Sequence, residues 1–270
     1  MGSYKKTNVM TTHFLSSRHA QAKATDLHAK ASPDFDAKLA ETQTLLRRAA
    51  AEFSPVTQAS SLGAEDVVIT HLINGLQLDI PVFVLETGAL HTETLALLER
   101  TQAHSRAPIV VHRPAHESVM QFVRQNGQDA MYQSIALRKA CCGVRKMAPL
   151  ARALKDQRAW ITGLRQEQSS ARAEVPLIDD SEVQAAPQIT PVSSSAGLCK
   201  LNPLARWTWG DVWHYIAEHK VDYNPLHDQF FPSIGCAPCT RAISLGEEFR
   251  AGRWWWEDEA AKECGLHVKP

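Results

Sequence analysis

Short apolar runs of strand length recur along the chain, each followed by a polar turn and then by apolar positions at helical spacing. Thr57-Gln58-Ala59-Ser60 leads through residues 61–66 into an apolar helix expected over 67–73. Ile80-Pro81-Val82-Phe83-Val84-Leu85 leads through Glu86-Thr87-Gly88 into a helix over 91–104. Pro108-Ile109-Val110-Val111-His112 precedes a helix from about His116, and Ala159-Trp160-Ile161-Thr162 runs into Gly163-Leu164-Arg165. Strands alternating with helices in this way predict an α/β fold, a single domain with a mostly parallel sheet flanked by helices. Sheets of that kind bind ligands outside the carboxyl ends of their strands. Residues 60–66, 86–88 and 163–165 fall at those ends and predict one crevice.

Other stretches complete the outline. Ser32-Pro33-Asp34 reads as an N-cap, a proline at the first helical position and an acid in the first turn, opening a helix to about Phe53. Residues 134–154 read as one helix, 166–196 as a mobile polar flap, 197–201 as a strand holding a buried Cys199, and 209–216 as an amphipathic helix with core aromatics. Trp160 is expected in the core. Residues 1–31 lack a clear period and read as a flexible arm. The expected division is this arm, a main α/β domain over 32–245, and a C-terminal segment over 246–270.

Composition narrows the function. Among 270 residues, 29 Lys and Arg balance 29 Asp and Glu, so no global basic field argues for nucleic acid, and an anion site must be built locally. No run of about 18 apolar residues suits a bilayer span, and residues 1–30 lack the apolar core of a secretion signal. A cytoplasmic protein is expected. The six cysteines include one adjacent pair and one Cys-x-x-Cys, which fits metal or catalytic use in a reducing compartment better than a disulfide framework.

Cys141-Cys142 and Cys236-Ala237-Pro238-Cys239 together offer four thiolates. Tetrahedral zinc accepts four, and so does an iron–sulfur cluster. Adjacent side chains on a helix point about 100° apart, which suits a wide target touched at its corners better than a single ion. A buried free pair and a redox-active Cys-x-x-Cys are the other readings. Arg138, Lys139, Arg145 and Lys146 crowd the first pair; cations there lower thiol pKa and offset thiolate charge, while a solvated helix face accounts for at least two of them. Ser60-Ser61-Leu62-Gly63, opening a helix, can cradle an anion with free N–H groups and the helix dipole, and Arg165 and Arg172 are spaced like anion hooks. Cys264, three residues before His267, reads equally as a nucleophile and as a spare surface thiol.

The combination of the double cysteine in Cys141-Cys142-Gly143-Val144-Arg145-Lys146, Gly235-Cys236-Ala237-Pro238-Cys239-Thr240-Arg241, Arg250-Ala251-Gly252-Arg253-Trp254-Trp255-Trp256-Glu257 and Glu263-Cys264-Gly265-Leu266-His267 resembles the assimilatory adenylyl-sulfate reductases, the iron–sulfur branch of the adenylyl-sulfate and 3′-phosphoadenylyl-sulfate reductases. The resemblance spans roughly residues 35 to 268, with Glu86-Thr87-Gly88 where the family often has Asp-Thr-Gly. It implies an adenine nucleotide α-hydrolase-like sheet, and reduction of adenylyl sulfate to sulfite and AMP through an S-sulfocysteine on Cys264, on the route of sulfate assimilation to cysteine. It also implies thioredoxin or a glutaredoxin-like protein as reductant, and one [4Fe-4S] cluster on Cys141, Cys142, Cys236 and Cys239 acting as organiser and charge source. Lys146, Arg250, Arg253 and His267 correspond to contacts with the phosphosulfate; Ser60, Ser61, Gly63, Leu85, Gly163, Arg165 and Arg172 complete the expected substrate contacts. Possession of the quartet associates the chain with enzymes that take the nucleotide lacking a 3′-phosphate. No nucleic-acid or membrane partner is expected, and a homo-oligomer is left open. Two rival readings are a zinc-containing adenylating enzyme of the ATP-pyrophosphatase type, whose Ser-Gly-Gly-x-Asp-Ser turn residues 61–66 match poorly, and a non-catalytic iron–sulfur scaffold, which would leave Cys264, Arg250 and Arg253 idle.

Overall fold

A computed structural model describes residues 22–180 and 198–258. Its centre is a six-stranded sheet of β1 (Val56–Ser60), β2 (Val82–Leu85), β3 (Ile109–His112), β4 (Ala159–Ile161), β5 (Ile178–Asp179) and β6 (Cys199–Leu201), in the order β3-β2-β1-β4-β6-β5. All neighbours pair in parallel except β5, which runs antiparallel to β6. The helices are α1 (Ala24–His28), α2 (Phe35–Glu52), α3 (Ala64–Gly75), α4 (Thr92–His104), α5 (His116–Asn126), α6 (Ile135–Cys142), α7 (Ala148–Leu154) and α8 (Trp209–His219). Among the described residues no helix is long and apolar enough to cross a membrane.

The period of two along the strands sends alternate side chains to opposite faces. Val82 and Val84 join Leu46 of α2, Ile69 and Ile73 of α3 and Trp213 and Ile216 of α8 in the main core. Phe83, between them, packs on the other face with Trp160 and with Leu150 and Leu154 of α7. Helices therefore cover both faces, and the four parallel strands that run from β3 to β4 across the centre end on one side of the sheet. That side is where the expected crevice lies.

Four expectations change. The helix expected from Ser32 starts at Phe35 with Asp34 at its N-cap. Part of the expected N-terminal arm is folded: α1 buries Ala24, whose N–H donates to Asp228 at 2.7 Å, and His28 stacks against Trp209 at 5.9 Å. Residues 1–21 lie outside the described residues. The single helix expected over 134–154 is two helices joined by a π turn, Gly143–Met147, in which the Ala148 N–H donates to the Gly143 carbonyl five residues back. Pro149 has no N–H to continue the ordinary ladder, and it sits in the first turn of α7. The segment expected as a flap forms short turns over Gln166–Gln168 and Ser170–Arg172 and then β5, so its first part is anchored to the sheet; residues 181–197 lie outside the described residues.

Gly163 marks the tightest contact behind the crevice. A Cβ there would stand 2.5 Å from Asp66 Oδ1 and 2.8 Å from Glu65 Cβ, whereas a Cβ at Gly75, the last residue of α3, meets nothing within 4 Å. Gly163→Ala is expected to lower stability by about 1–3 kcal/mol through forced displacement of α3, while Gly75→Ala gains a few tenths to about 1 kcal/mol from helix propensity. Urea melts of the two variants check this; equal stability of both would show that the β4 turn does not press on α3.

Candidate active site

β1 ends at Ser60, the chain turns through Leu62 at φ 61°, and Gly63 caps α3. This is the expected strand, turn and helix N-terminus, but its donors are partly satisfied from within. Asp66 in the first turn accepts the Ser61 N–H and hydroxyl, each at 2.6 Å, and the Leu62 N–H donates to Ser60 Oγ at 3.2 Å. Burial pushes the Asp66 carboxyl up to about 6, with neighbouring Glu65 adding to the rise and Ser61 opposing it. Burial also works against a charge on Glu65, but the adjacent Arg165 guanidinium outweighs it and holds that carboxyl below its ordinary range. Two buried acids at the start of α3 oppose the attraction of its dipole for anions. An anion in the cavity therefore depends on side-chain cations.

Those cations converge on the same cavity. Lys146, Arg172, Arg250 and Arg253 line it together with Ser60, Ser61, Gly63, Leu85 and Gly163. The Arg253 Nε is buried and has no hydrogen-bond partner among the described residues, and the guanidinium lies 4.7 Å from the Trp254 ring centre. It lies over Gly235, where any side chain would run into it. Arg172 is buried and donates to Gln168 at 2.6 Å. Arg165 is the exception among the expected contacts. Its guanidinium, fully buried, donates to Glu65 and Glu167 at 2.8 Å each and lies 5.3 Å from the Trp209 ring, and it is absent from the cavity wall. Two carboxylates reached through the β4 turn claim it, so it shapes the site from behind.

Cys141, Cys236 and Cys239 are buried and packed in one cluster with Met131 and Trp254, with Cys142 half-buried beside them at the end of α6. Thr87, in the turn after β2, stands 3.3 Å from Cys236 Sγ and accepts Arg145 Nη1 on its carbonyl at 2.7 Å. The Ala237 N–H donates to the Ala89 carbonyl at 2.7 Å, so the β2 turn, the π turn and the Cys-x-x-Cys loop form one unit. Burial pushes the Cys239 thiol up to about 11, helped by nearby Cys236 and resisted by Arg253 and Lys146. Burial likewise raises Cys141, against Arg145 and Lys146. Lys146 and Arg253 thus face the cavity and the thiols at once. Cys264 and His267 lie outside the described residues.

Residues 55–242 match the family model described as the phosphoadenosine phosphosulfate reductase domain. The chain belongs to that reductase family. A protein of Allochromatium vinosum named adenosine 5′-phosphosulfate reductase is 49% identical over 223 residues, 83% of this chain and 82% of the relative. One of that name from Burkholderia cepacia is 44% identical over 237 residues, 88% of this chain and 90% of the relative. Among solved structures, phosphoadenylyl-sulfate reductase from Candida auris in a phosphate complex superposes with TM-score 0.58 at 26% identity, over 77% of this chain and 97% of that one. FMN adenylyltransferase from Candida glabrata, 12% identical with TM-score 0.51 over 89% of this chain and 83% of that one, shares the fold alone. The chain is an enzyme, an oxidoreductase acting on sulfur groups.

Within this reductase the cysteine helix is tied to the start of the C-terminal segment. Arg138, one turn before Cys141 on α6, donates to Glu257 through Nε at 2.9 Å and Nη2 at 2.6 Å, both side chains being buried. Trp254 lies between the guanidiniums of Arg138, 4.5 Å away, and Arg253, and its N–H donates to the Cys239 carbonyl at 3.2 Å. Of the four cations around the double cysteine, only Lys139 is exposed, so the solvated-face reading fails for Arg138, Arg145 and Lys146. Among the polar cavity residues, sequence reasoning passed over Gln168 and His227 as contributors to the site; Gln168 is placed by Glu65 and His227 by Trp209 and Trp213, contacts distant in the chain that leave no local signal.

Glu257→Gln leaves the buried Arg138 charge without its carboxylate and is expected to lower stability by about 3–5 kcal/mol. Asp222→Asn, which breaks the exposed pair with Arg100, should change it by less than about 1 kcal/mol. Denaturant melts measure both, and equal small effects would mean that the Arg138 pair holds nothing in place.

Proposed function

We propose that this enzyme reduces adenylyl sulfate to sulfite and AMP through an S-sulfocysteine on Cys264, with thioredoxin or a glutaredoxin-like protein as electron donor, in assimilatory sulfate reduction toward cysteine in the cytoplasm. The observation that carries this reading is the double duty of Lys146 and Arg253, which line the cavity at the strand ends and also act on the Cys239 thiol. A substrate anion and a thiolate-ligated group then share the same cations.

The donor set fits one [4Fe-4S] cluster on Cys141, Cys142, Cys236 and Cys239. Three of the thiols are buried in a single packed cluster, and burial raises the pKa of Cys141 and Cys239, which favours the thiol form of these two until a metal displaces the protons. Bound there, the cluster would supply structural order and charge beside the substrate.

Lys146, Arg172, Arg250 and Arg253 neutralise the phosphosulfate and let an anionic nucleophile approach it, and preorganised donors of this kind are typically worth a few kcal/mol each. The Cys264 thiolate attacks the sulfate sulfur, a sulfur–sulfur bond forms, and the bond from sulfur to the phosphate-bridging oxygen breaks with its electron pair leaving on AMP. A thioredoxin thiolate then attacks Cys264 Sγ and releases sulfite, and its second thiol resolves the mixed disulfide. The dithiol is oxidised, and the sulfate sulfur is reduced by two electrons. His267, three residues from Cys264, is the further contact that the family resemblance supplies for the phosphosulfate.

Anaerobic incubation with adenylyl sulfate and no reductant should add the mass of one sulfonate to the wild-type chain and none to Cys264→Ser, and reduced thioredoxin should remove it with release of sulfite. Sulfonation of Cys264→Ser to the same extent would place the nucleophile elsewhere. Asp66 adds a pH dependence. Its carboxyl, at about 6 against an ordinary value of 3.8, is neutral below pH 6 and negative above it. Affinity of Cys264→Ser protein for adenylyl sulfate should therefore fall on the order of tenfold as pH rises through about 6, and Asp66→Asn should flatten the profile. An identical profile in Asp66→Asn would remove Asp66 from the site's electrostatics.

A further inference from the structure

His227 closes one end of the cavity and is the only imidazole among its described lining residues. The side chain is 6% exposed, and neither ring nitrogen meets hydrogen-bond geometry with a partner among the described residues, although the Phe231 backbone lies near enough to the ring to favour its protonation. A buried polar group left unsatisfied costs about 1–3 kcal/mol, so an imidazole held in that state points to a ligand that completes it. Its setting is rigid. Trp209 and Trp213 pack edge-on against the ring at 6.0 and 5.2 Å, and Asn224 pins the turn Pro225–Gln229 by accepting the Leu226 N–H at 3.1 Å and donating to Thr94 at 2.8 Å.

The charges around the cavity show which ligand group belongs there. Lys146 and Arg253 stand at the thiol end, where they act on Cys239, whereas the charge that acts most on His227 is the carboxylate of Glu65, whose partner Arg165 is engaged by it and by Glu167 and is absent from the cavity wall. Burial also lowers the imidazole to about 4, so at neutral pH it carries one N–H donor and one lone pair. A neutral donor and acceptor beside a carboxylate complements a hydroxyl, which can accept and donate at once, and disfavours an oxyanion.

Resting on the function proposed above, we infer that His227 is a specificity-determining residue that takes a ribose hydroxyl of the nucleotide at the acidic end of the cavity, and that a phosphate in place of that hydroxyl is rejected there. The phosphosulfate then points to the cations at the other end.

The test is calorimetric titration of the anaerobically purified full chain with AMP, 2′-deoxy-AMP, 3′-deoxy-AMP and adenosine 3′,5′-bisphosphate. Wild type should bind one of the deoxy nucleotides about tenfold or more weaker than AMP, and where that is the 3′-deoxy nucleotide it should also disfavour the bisphosphate. His227→Phe, which keeps the packing against the two tryptophans, should bind AMP as weakly as wild type binds that deoxy nucleotide and no longer tell the two apart; His227→Gln should recover part of the discrimination. Wild type that binds AMP and both deoxy nucleotides equally overturns the inference without any variant, and so does His227→Phe with wild-type discrimination. Failure of wild type to bind AMP at all would remove the proposed function as well, which separates the two.

Discussion

The site depends on the close approach of the turn after β4 to the first turn of α3. Gly163 lies against Glu65 and Asp66 with no room for a side chain, and the buried Arg165–Glu65 pair spans the same contact. A buried ion pair of this kind contributes little net stability, because desolvation offsets the attraction, but it is demanding about geometry. Here it brings the carboxyl ends of β1 and β4 together. Asp66, held in that contact, accepts the Ser61 N–H and hydroxyl and so sets the shape of the turn. Two acids are thereby fixed at one end of the cavity.

The other end answers with cations, and these serve two neighbours. Lys146 follows the double cysteine by way of the π turn, and Arg253 reaches over Gly235 from the C-terminal side. Both lower the cost of charge at Cys239 while facing the cavity. Arg138, Trp254 and Arg253 stack in sequence, and Glu257 closes the row, so the thiol cluster, the cation set and the start of the C-terminal segment are joined by one chain of contacts. That arrangement suits a reaction in which an anionic sulfur must approach an anionic substrate. It also supplies a structural reason for four thiols close to chemistry they need not perform.

Features with short-range causes were legible in the sequence. The strands were visible as short apolar runs, and most of their ends are within a residue or two of expectation, because burial on both sheet faces leaves little freedom in register. The cysteine motifs and the Ser-Ser-x-Gly turn carried their own spacing, and the fold brings Ser60, Ser61, Gly63, Leu85, Lys146, Gly163, Arg172, Arg250 and Arg253 to one cavity. What was not legible has partners far away in the chain. Ala24 is fixed by Asp228, Arg165 by Glu65, Arg138 by Glu257, and His227 by Trp209, Trp213 and the turn that Asn224 holds. An arginine at an anion-site spacing reads the same whether it meets substrate or a buried glutamate, and only the fold decides. The π turn precedes Pro149, which lies in the last third of what reads as one unbroken helix over 134–154.

The central claim is that the cysteine quartet and the cation-lined cavity form a single centre. Mössbauer spectroscopy of the anaerobically purified enzyme, with and without adenylyl sulfate, tests it most directly. The account predicts the spectrum of one four-iron cluster per chain, altered when the nucleotide binds, because Lys146 and Arg253 redistribute between the cluster and the substrate. Zinc in place of iron, or a four-iron spectrum that the nucleotide leaves unchanged, would contradict it.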